Sequence, residues 1–218
     1  MEIIYVDNHL LIINKRGGIP TQESPGCPEN VTDWAKNWIK RKYDKPGKVF
    51  LEPIHRLDKP VSGMVLFART SKALSRLQEM MRERKIAKWY YALVEQAPSQ
   101  SEGVLEHHLV HDEHRARIVP SSHPEGKKAV LAYRTKQESR LGFLLEIELQ
   151  TGRYHQIRAQ LAHVRSPILG DQKYGSSKTW SKDCIALHHG KLSFVHPVTK
   201  EELAFTAPFP SSFASISV

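Results

Sequence analysis

An α+β fold is predicted for residues 1–218, taken as one domain, with a large mixed, mostly antiparallel sheet flanked by helices and loops. Three observations predict it. Many short apolar stretches have strand character. Only about three stretches carry helical periodicity, and the two kinds do not alternate as regular βαβ units. The third is size: 218 residues, 40% hydrophobic and 25% charged, suit one ordinary domain with a core that needs no staples.

The elements read in order as follows. Ile3–Val6, an Asp7-Asn8 turn and Leu10–Ile13 make an opening pair of strands. Gly17-Gly18 and the Pro-, Ser- and Gly-bearing stretch from Pro20 to Pro28 form a loop. Asn30 is placed to cap a helix in which Val31, Trp34, Ala35, Trp38 and Ile39 recur at helical spacing, so both tryptophans are expected in the core. Lys36, Lys40, Arg41 and Lys42 lie towards its outer face or end. Pro53 to Gly63 is a loop, and Met64–Ala68 a buried strand. Ser71 is expected to cap a second helix with the stripe Leu74, Leu77, Met81. Trp89–Val94, His107–Val119 and Ala129–Thr135 read as further strands. Leu145–Leu149 alternates as a strand with one wet face. After a Thr151-Gly152 turn, Tyr154, Ile157, Leu161 and Val164 are spaced for a third helix. Lys191–Val195 and Leu203–Phe205 close a hairpin.

Charge narrows the partners. Lys and Arg total 32 against 23 Asp and Glu, a net charge of +9. Such an excess favours a polyanion, because each neutralised phosphate releases counterions. The two cysteines, Cys27 and Cys184, fit neither a disulfide framework nor a zinc spacing, which suits a reducing cytoplasm. The N-terminus has no basic-then-apolar leader pattern, and no apolar run nears the roughly 20 residues that span a bilayer. A cytoplasmic protein without membrane contact is expected.

Two segments hold chemistry-bearing residues. His55-Arg56-Leu57-Asp58-Lys59-Pro60-Val61-Ser62-Gly63 puts a carboxylate on a Pro/Gly-bounded turn between strands, either as a plain turn or as a loop that presents Asp58. In Thr151-Gly152-Arg153-Tyr154-His155-Gln156-Ile157-Arg158, Tyr154 and Arg158 stand four apart and would share a helix face. His155 and Arg158 stand three apart. That face suits RNA phosphate, a carboxylate partner or plain solvent. His107, His108, His111 and His114 fit no common closed metal site. Gly17-Gly18 precedes no Walker pattern, and no nucleophile elbow points to a Ser/His/Asp hydrolase.

Taken together, these segments resemble the RluA-type RNA pseudouridine synthases. The resemblance rests on His55-Arg56-Leu57-Asp58 with Ser62-Gly63, on Lys88-Trp89-Tyr90-Tyr91-Ala92-Leu93-Val94, and on Thr151 to Arg158. Pro167-Ile168-Leu169-Gly170-Asp171-Gln172-Lys173-Tyr174-Gly175 and the closing Leu192 to Pro197 complete it. It covers about residues 3 to 210 in order. The sequence departs from the pattern at Arg16, where proline is common, at Tyr154, where Thr or Ser is common, and at His188-His189. The pattern starts at the N-terminus, so a short form without an S4 RNA-binding module is expected.

The resemblance implies an isomerase that converts uridines in rRNA or tRNA, or both, to pseudouridine. It needs no metal, nucleotide cofactor or cosubstrate, and is expected to work as a monomer. It implies Asp58 as nucleophile, Arg158 as the cation that keeps Asp58 ionised, and Tyr90 as an aromatic against the base. Arg56, His55, Arg153, His155 and Gln156 are implied in holding substrate, with Arg56 supporting a flipped-out nucleotide. Two other classes stand beside it. One is a non-catalytic RNA-binding protein, against which the intact Asp58, Tyr90 and Arg158 weigh. The other is a glycosidase-like enzyme, for which a second carboxylate is not evident.

Overall fold

Leu10-Leu11-Ile12-Ile13 and Met64-Val65-Leu66-Phe67-Ala68 are apolar at every position, which a strand tolerates only when both faces of its sheet are covered. The computed structural model, which describes residues 1–213, puts them side by side near one end of the sheet. Strand β1 (Glu2–Val6) pairs antiparallel with β2 (Leu10–Lys15), and β2 with β4 (Ser62–Ala68). The short β3 (Glu52–Pro53) lies against the end of β4. Along β2 and β4, Leu11, Ile13, Val65 and Phe67 enter one core. Leu10, Ile12, Met64, Leu66 and Ala68 enter a second core on the opposite face.

Each core has its helix. Helix α1 (Val31–Lys42) packs Val31, Ala35 and Ile39 into the first core, with Trp34 and Trp38 partly buried against it. Asn30 caps it, its Oδ1 accepting from the Asp33 N–H at 2.9 Å. Helix α2 (Ser71–Arg82) packs Ala73 and Leu77 into the second. Its cap is Thr70, whose hydroxyl accepts from the Ala73 N–H at 3.2 Å; Ser71, expected in that role, is the first helical residue. A cap contributes about 1 kcal/mol. Each fully buried Leu or Ile contributes roughly 1.5–3 kcal/mol, so burial decides where the helices sit.

The sheet continues through β10 (Leu187–Val195), β5 (Ala87–Val94), β9 (Phe143–Leu149), β8 (Lys127–Glu138), β6 (Glu102–Asp112) and β7 (Arg115–Val119). Nine of the ten strand pairings run antiparallel, and β10 against β4 is parallel. At that seam Gly63 takes φ +114°, and a Cβ there would collide with the His189 backbone. Glycine therefore closes the motif that began at His55 for a steric reason. Beyond His189, β10 takes up β11 (Glu202–Thr206) in place of β4.

Helix α3 (Gln156–His163) starts later than the spacing predicts. His155 takes φ +49° and ψ +25°, which breaks helical geometry between Tyr154 and Gln156. Tyr154 and Arg158 therefore share no helix face, and Val164 is the C-terminal cap residue. Ile157 and Leu161 enter the first core, while Ala159 joins Leu109, Ala116 and Ala129 under the β6–β7 hairpin. No helix among the described residues is long and apolar enough to cross a membrane. Cys27 and Cys184 are free thiols.

Candidate active site

The loop between β3 and β4 carries Asp58, and three sets of contacts fix it. Thr21 brackets the preceding residue, its hydroxyl donating to the Leu57 carbonyl and accepting from the Leu57 N–H, both at 3.0 Å. Lys15, buried at the end of β2, donates to the carbonyls of Arg16, Ile19 and Lys59 at 3.1, 2.7 and 3.2 Å. Burial pulls the Lys15 ammonium down to about 7, against the charge of Asp58. Three carbonyl acceptors match the three ammonium protons, so we read it as charged. Finally, the Pro60 carbonyl accepts from the Ile185 N–H at 3.1 Å.

Arg158 reaches the same point from α3. Its Nη1 donates to Asp58 Oδ2 at 3.1 Å. The other edge of the guanidinium meets Asp171, Nε to Oδ2 at 2.7 Å and Nη2 to Oδ1 at 2.8 Å. Asp171 is 1% exposed. It stands on a loop hung from β5 by the Leu169 N–H bond to the Leu93 carbonyl at 2.9 Å. Burial works against the charge of Arg158, but the bonds and charge of Asp171, with those of Asp58, outweigh it and hold the guanidinium above its ordinary value. The Tyr174 ring lies 5.0 Å beneath it. A fixed cation is thus aimed at one carboxylate oxygen.

His155 completes the cluster as a neutral ring. Burial first, then the charge of Arg158, pushes it down to about 3. Its Nε2 accepts from Arg158 Nη1 at 2.9 Å, so the network assigns the proton to Nδ1, which donates to the Tyr174 hydroxyl at 2.9 Å. The 3.4 Å approach of Nε2 to Asp58 Oδ2 is therefore not an ion pair.

All eight candidate residues line one cavity of about 330 Å³: His55, Arg56, Asp58, Tyr90, Arg153, His155, Gln156 and Arg158. Leu57, Val61, Ile157 and Leu187 supply an apolar wall. Tyr90, on β5, is 6% exposed and stacks on His189, with centroids 4.5 Å apart and planes at 15°. Burial, with the charge of Asp58, holds its phenol above the ordinary value, so it is protonated. Lys88 lies two residues along the same strand, its ammonium lowered by burial. Arg56 and Arg153 are exposed at the rim.

Gln156 and His55, like His155, also turn polar atoms inward. The Gln156 amide bonds Thr151 Oγ1, the Arg153 N–H and the Val130 carbonyl at 2.7, 3.0 and 3.1 Å. His55 Nε2 accepts from the Leu66 N–H at 3.3 Å. Both hold wall rather than face the opening. Asp171, Tyr174, Lys88, Lys15 and Thr21 were not among the expected site residues. Asp171, Tyr174 and Lys88 lie within the quoted motifs, whereas nothing local marks Lys15 or Thr21. The four neighbouring histidines do not converge: among the described residues no three metal-ligating side chains gather, and His107 packs edge-on to His163 at 4.9 Å.

A family model described as RNA pseudouridylate synthase matches residues 9–163. The chain is 31% identical to "tRNA pseudouridine synthase C" of Vibrio parahaemolyticus, over 99% of this chain and 93% of the relative. It is 32% identical to "Ribosomal large subunit pseudouridine synthase C" of Buchnera aphidicola, over 97% and 68%. Among solved structures, "Human RNA Pseudouridylate Synthase Domain Containing 4" superposes with a TM-score of 0.82 at 26% identity, over 98% of this chain and 90% of that one. "Human RNA Pseudouridylate Synthase Domain Containing 1" shares the fold at a TM-score of 0.73 and 20% identity.

Proposed function

The chain belongs to the RNA pseudouridylate synthase family, and from that premise we propose that Asp58 carries out the isomerisation of specific uridines in ribosomal or transfer RNA. The names of the similar proteins, one a transfer-RNA and one a ribosomal enzyme, support both substrate classes. The observation that carries the assignment is the 3.1 Å bond from Arg158 to Asp58, made inside a cavity by a cation that Asp171 holds in place. A half-buried carboxylate is a nucleophile only while ionised, and an aimed guanidinium favours that form.

The target nucleotide flips out of its stack into the cavity, at a cost of a few kcal/mol that is least in a loop. Arg56 and Arg153 at the rim, with Arg82 and Arg84 along the adjoining groove, offset it through phosphate contacts. Asp58 then acts at the sugar. The bond from N1 to C1′ breaks, the uracil turns against Tyr90, and C5 bonds to C1′. One proton leaves C5 and one arrives at N1, so the product is an isomer and no redox partner enters. The protonated Tyr90 hydroxyl is a hydrogen-bond donor to the detached, electron-rich ring. Residues 1–218 act as one catalytic domain, as a monomer in the cytoplasm and without a nucleotide cofactor.

The test is pseudouridine mapping of ribosomal and transfer RNA from cells with and without the gene, followed by incubation of the purified protein with the unmodified RNA. A uridine that is converted only when the protein is present supports the reading. An unchanged map in both experiments sinks it.

A further inference from the structure

Tyr154 is displaced from α3 by the left-handed turn at His155, and its ring is 40% exposed. One face lies on the His155 ring, with centroids 3.9 Å apart and planes at 17°. His111, from β6, leans towards it at 4.1 Å and 47°. Among the described residues the Tyr154 hydroxyl has no hydrogen-bond partner, so no polar contact ties the ring to the fold. The ring is a partition. On one side is the cavity that holds Asp58. On the other is a second cleft bordered by Leu109, His111, Lys127 and Arg153.

We propose that this second cleft is a subsite for the unpaired base next to the target uridine, stacked on Tyr154. The inference rests on the proposed reading of the Asp58 cavity. Tyr154 lies one stacking layer from His155, whose Nε2 is 3.4 Å from Asp58 Oδ2, so a base beyond it belongs to a neighbour of the nucleotide at Asp58. Every base has a π-face, and exposed rings beside cations are how single-stranded RNA is held without edge readout. Lys127 and Arg153 stand where the connecting phosphate would run. His111 meets Tyr154 at 47° and so does not stack on it, and a planar base takes its place by displacing the imidazole.

The experiment uses a short RNA carrying the mapped uridine, with the base on its 5′ or 3′ side intact or abasic. With wild-type protein, loss of the base on one side lowers kcat/KM about tenfold or more. Tyr154→Ala shows that loss already with the intact RNA and almost none on base removal. Tyr154→Phe keeps the sensitivity of the wild type. Equal sensitivity in wild type and Tyr154→Ala, or none on either side in wild type, overturns the subsite. Should the catalytic reading fail instead, Asp58→Asn turns over while the kinetic cycle stays readable. Should no RNA be converted, a uridine-rich single strand with one 2-aminopurine decides the subsite: wild type quenches its fluorescence and Tyr154→Ala does not, and equal quenching overturns it.

Discussion

Arg158 and Asp171 meet through two parallel hydrogen bonds, 2.7 and 2.8 Å long, and this pairing leaves Nη1 of the guanidinium for Asp58 and His155. A single acid partner at Asp58 would leave the cation free to pivot. The bidentate clamp fixes its plane, so the charge arrives at Asp58 in one orientation.

Arg158→Met removes that cation and leaves Asp171 buried without a partner. We expect kcat to fall about 100-fold or more, with a much smaller change in RNA affinity. Breaking the buried pair also costs about 3–5 kcal/mol of stability. Denaturant unfolding, filter binding and single-turnover kinetics check the three effects. Arg158→Lys keeps the charge without the fork and should recover stability better than rate. A loss confined to RNA affinity would move Arg158 out of the site.

Asp58→Asn keeps the shape and removes the carboxylate proposed as nucleophile. Pseudouridine formation should drop at least about 1000-fold. Thermal stability should barely move, because the side chain is half-buried and Arg158 retains Asp171. RNA binding should persist. Substantial product from this variant, measured by mass spectrometry of digested RNA, would refute the nucleophile assignment.

How much of this was legible in the chain depended on distance along it. The buried strands β2 and β4 were legible because a run of apolar residues has few other meanings. Helix α1 was legible because Asn30 sits just before its periodic face. The choice between Thr70 and Ser71 as a cap was not, since two adjacent hydroxyls offer the same chemistry. Strands β6 and β8 begin at Glu102 and Lys127, ahead of the expected His107 and Ala129. Lys127-Lys128 gives no apolar signal, and Val104-Leu105 is too short a run, between Gly103 and Glu106, to mark a strand. Spacing misled at Tyr154, since nothing local announces a left-handed histidine. For Arg158 the partners lie 100 and 13 residues away, beyond the reach of any helical spacing rule. There the ordered motifs carried the site.

Acid should weaken the fold before carboxylates titrate. His188 is pulled down to about 4, and His155 and His189 to about 3, in each case first by burial. The folded protein thus holds these rings neutral while the unfolded chain protonates them near 6.5. Their contribution to stability is complete above pH 6.5 and is lost as pH falls from there through about 4. Each histidine contributes on the order of 1 kcal/mol per pH unit in that window. Melting curves between pH 7.5 and 5 should show Tm falling steadily, with a shallower slope in His189→Gln. A flat Tm over that range would show that these rings stay neutral in the unfolded chain too, or are charged in the fold.

Lys15→Met tests whether the Asp58 loop is held from behind. Methionine fills much of the same volume but frees the carbonyls of Arg16, Ile19 and Lys59. A fully buried unsatisfied acceptor costs about 1–3 kcal/mol; these bonds are part-buried and water can reach the carbonyls, so a clear but survivable loss of stability is expected. The larger effect should be on rate. Lys59 follows Asp58 directly, and a displacement of about 1 Å at a reacting group costs about 100-fold. The amide hydrogens of Asp58, Lys59 and Val61 should exchange faster than in wild type while those of the central strands β5 and β9 do not. Lys15→Arg should not rescue the rate, because a planar fork cannot reach three carbonyls arranged around a point charge. Faster exchange spread evenly over the sheet would mean that Lys15 supports the fold at large and has no particular hold on Asp58.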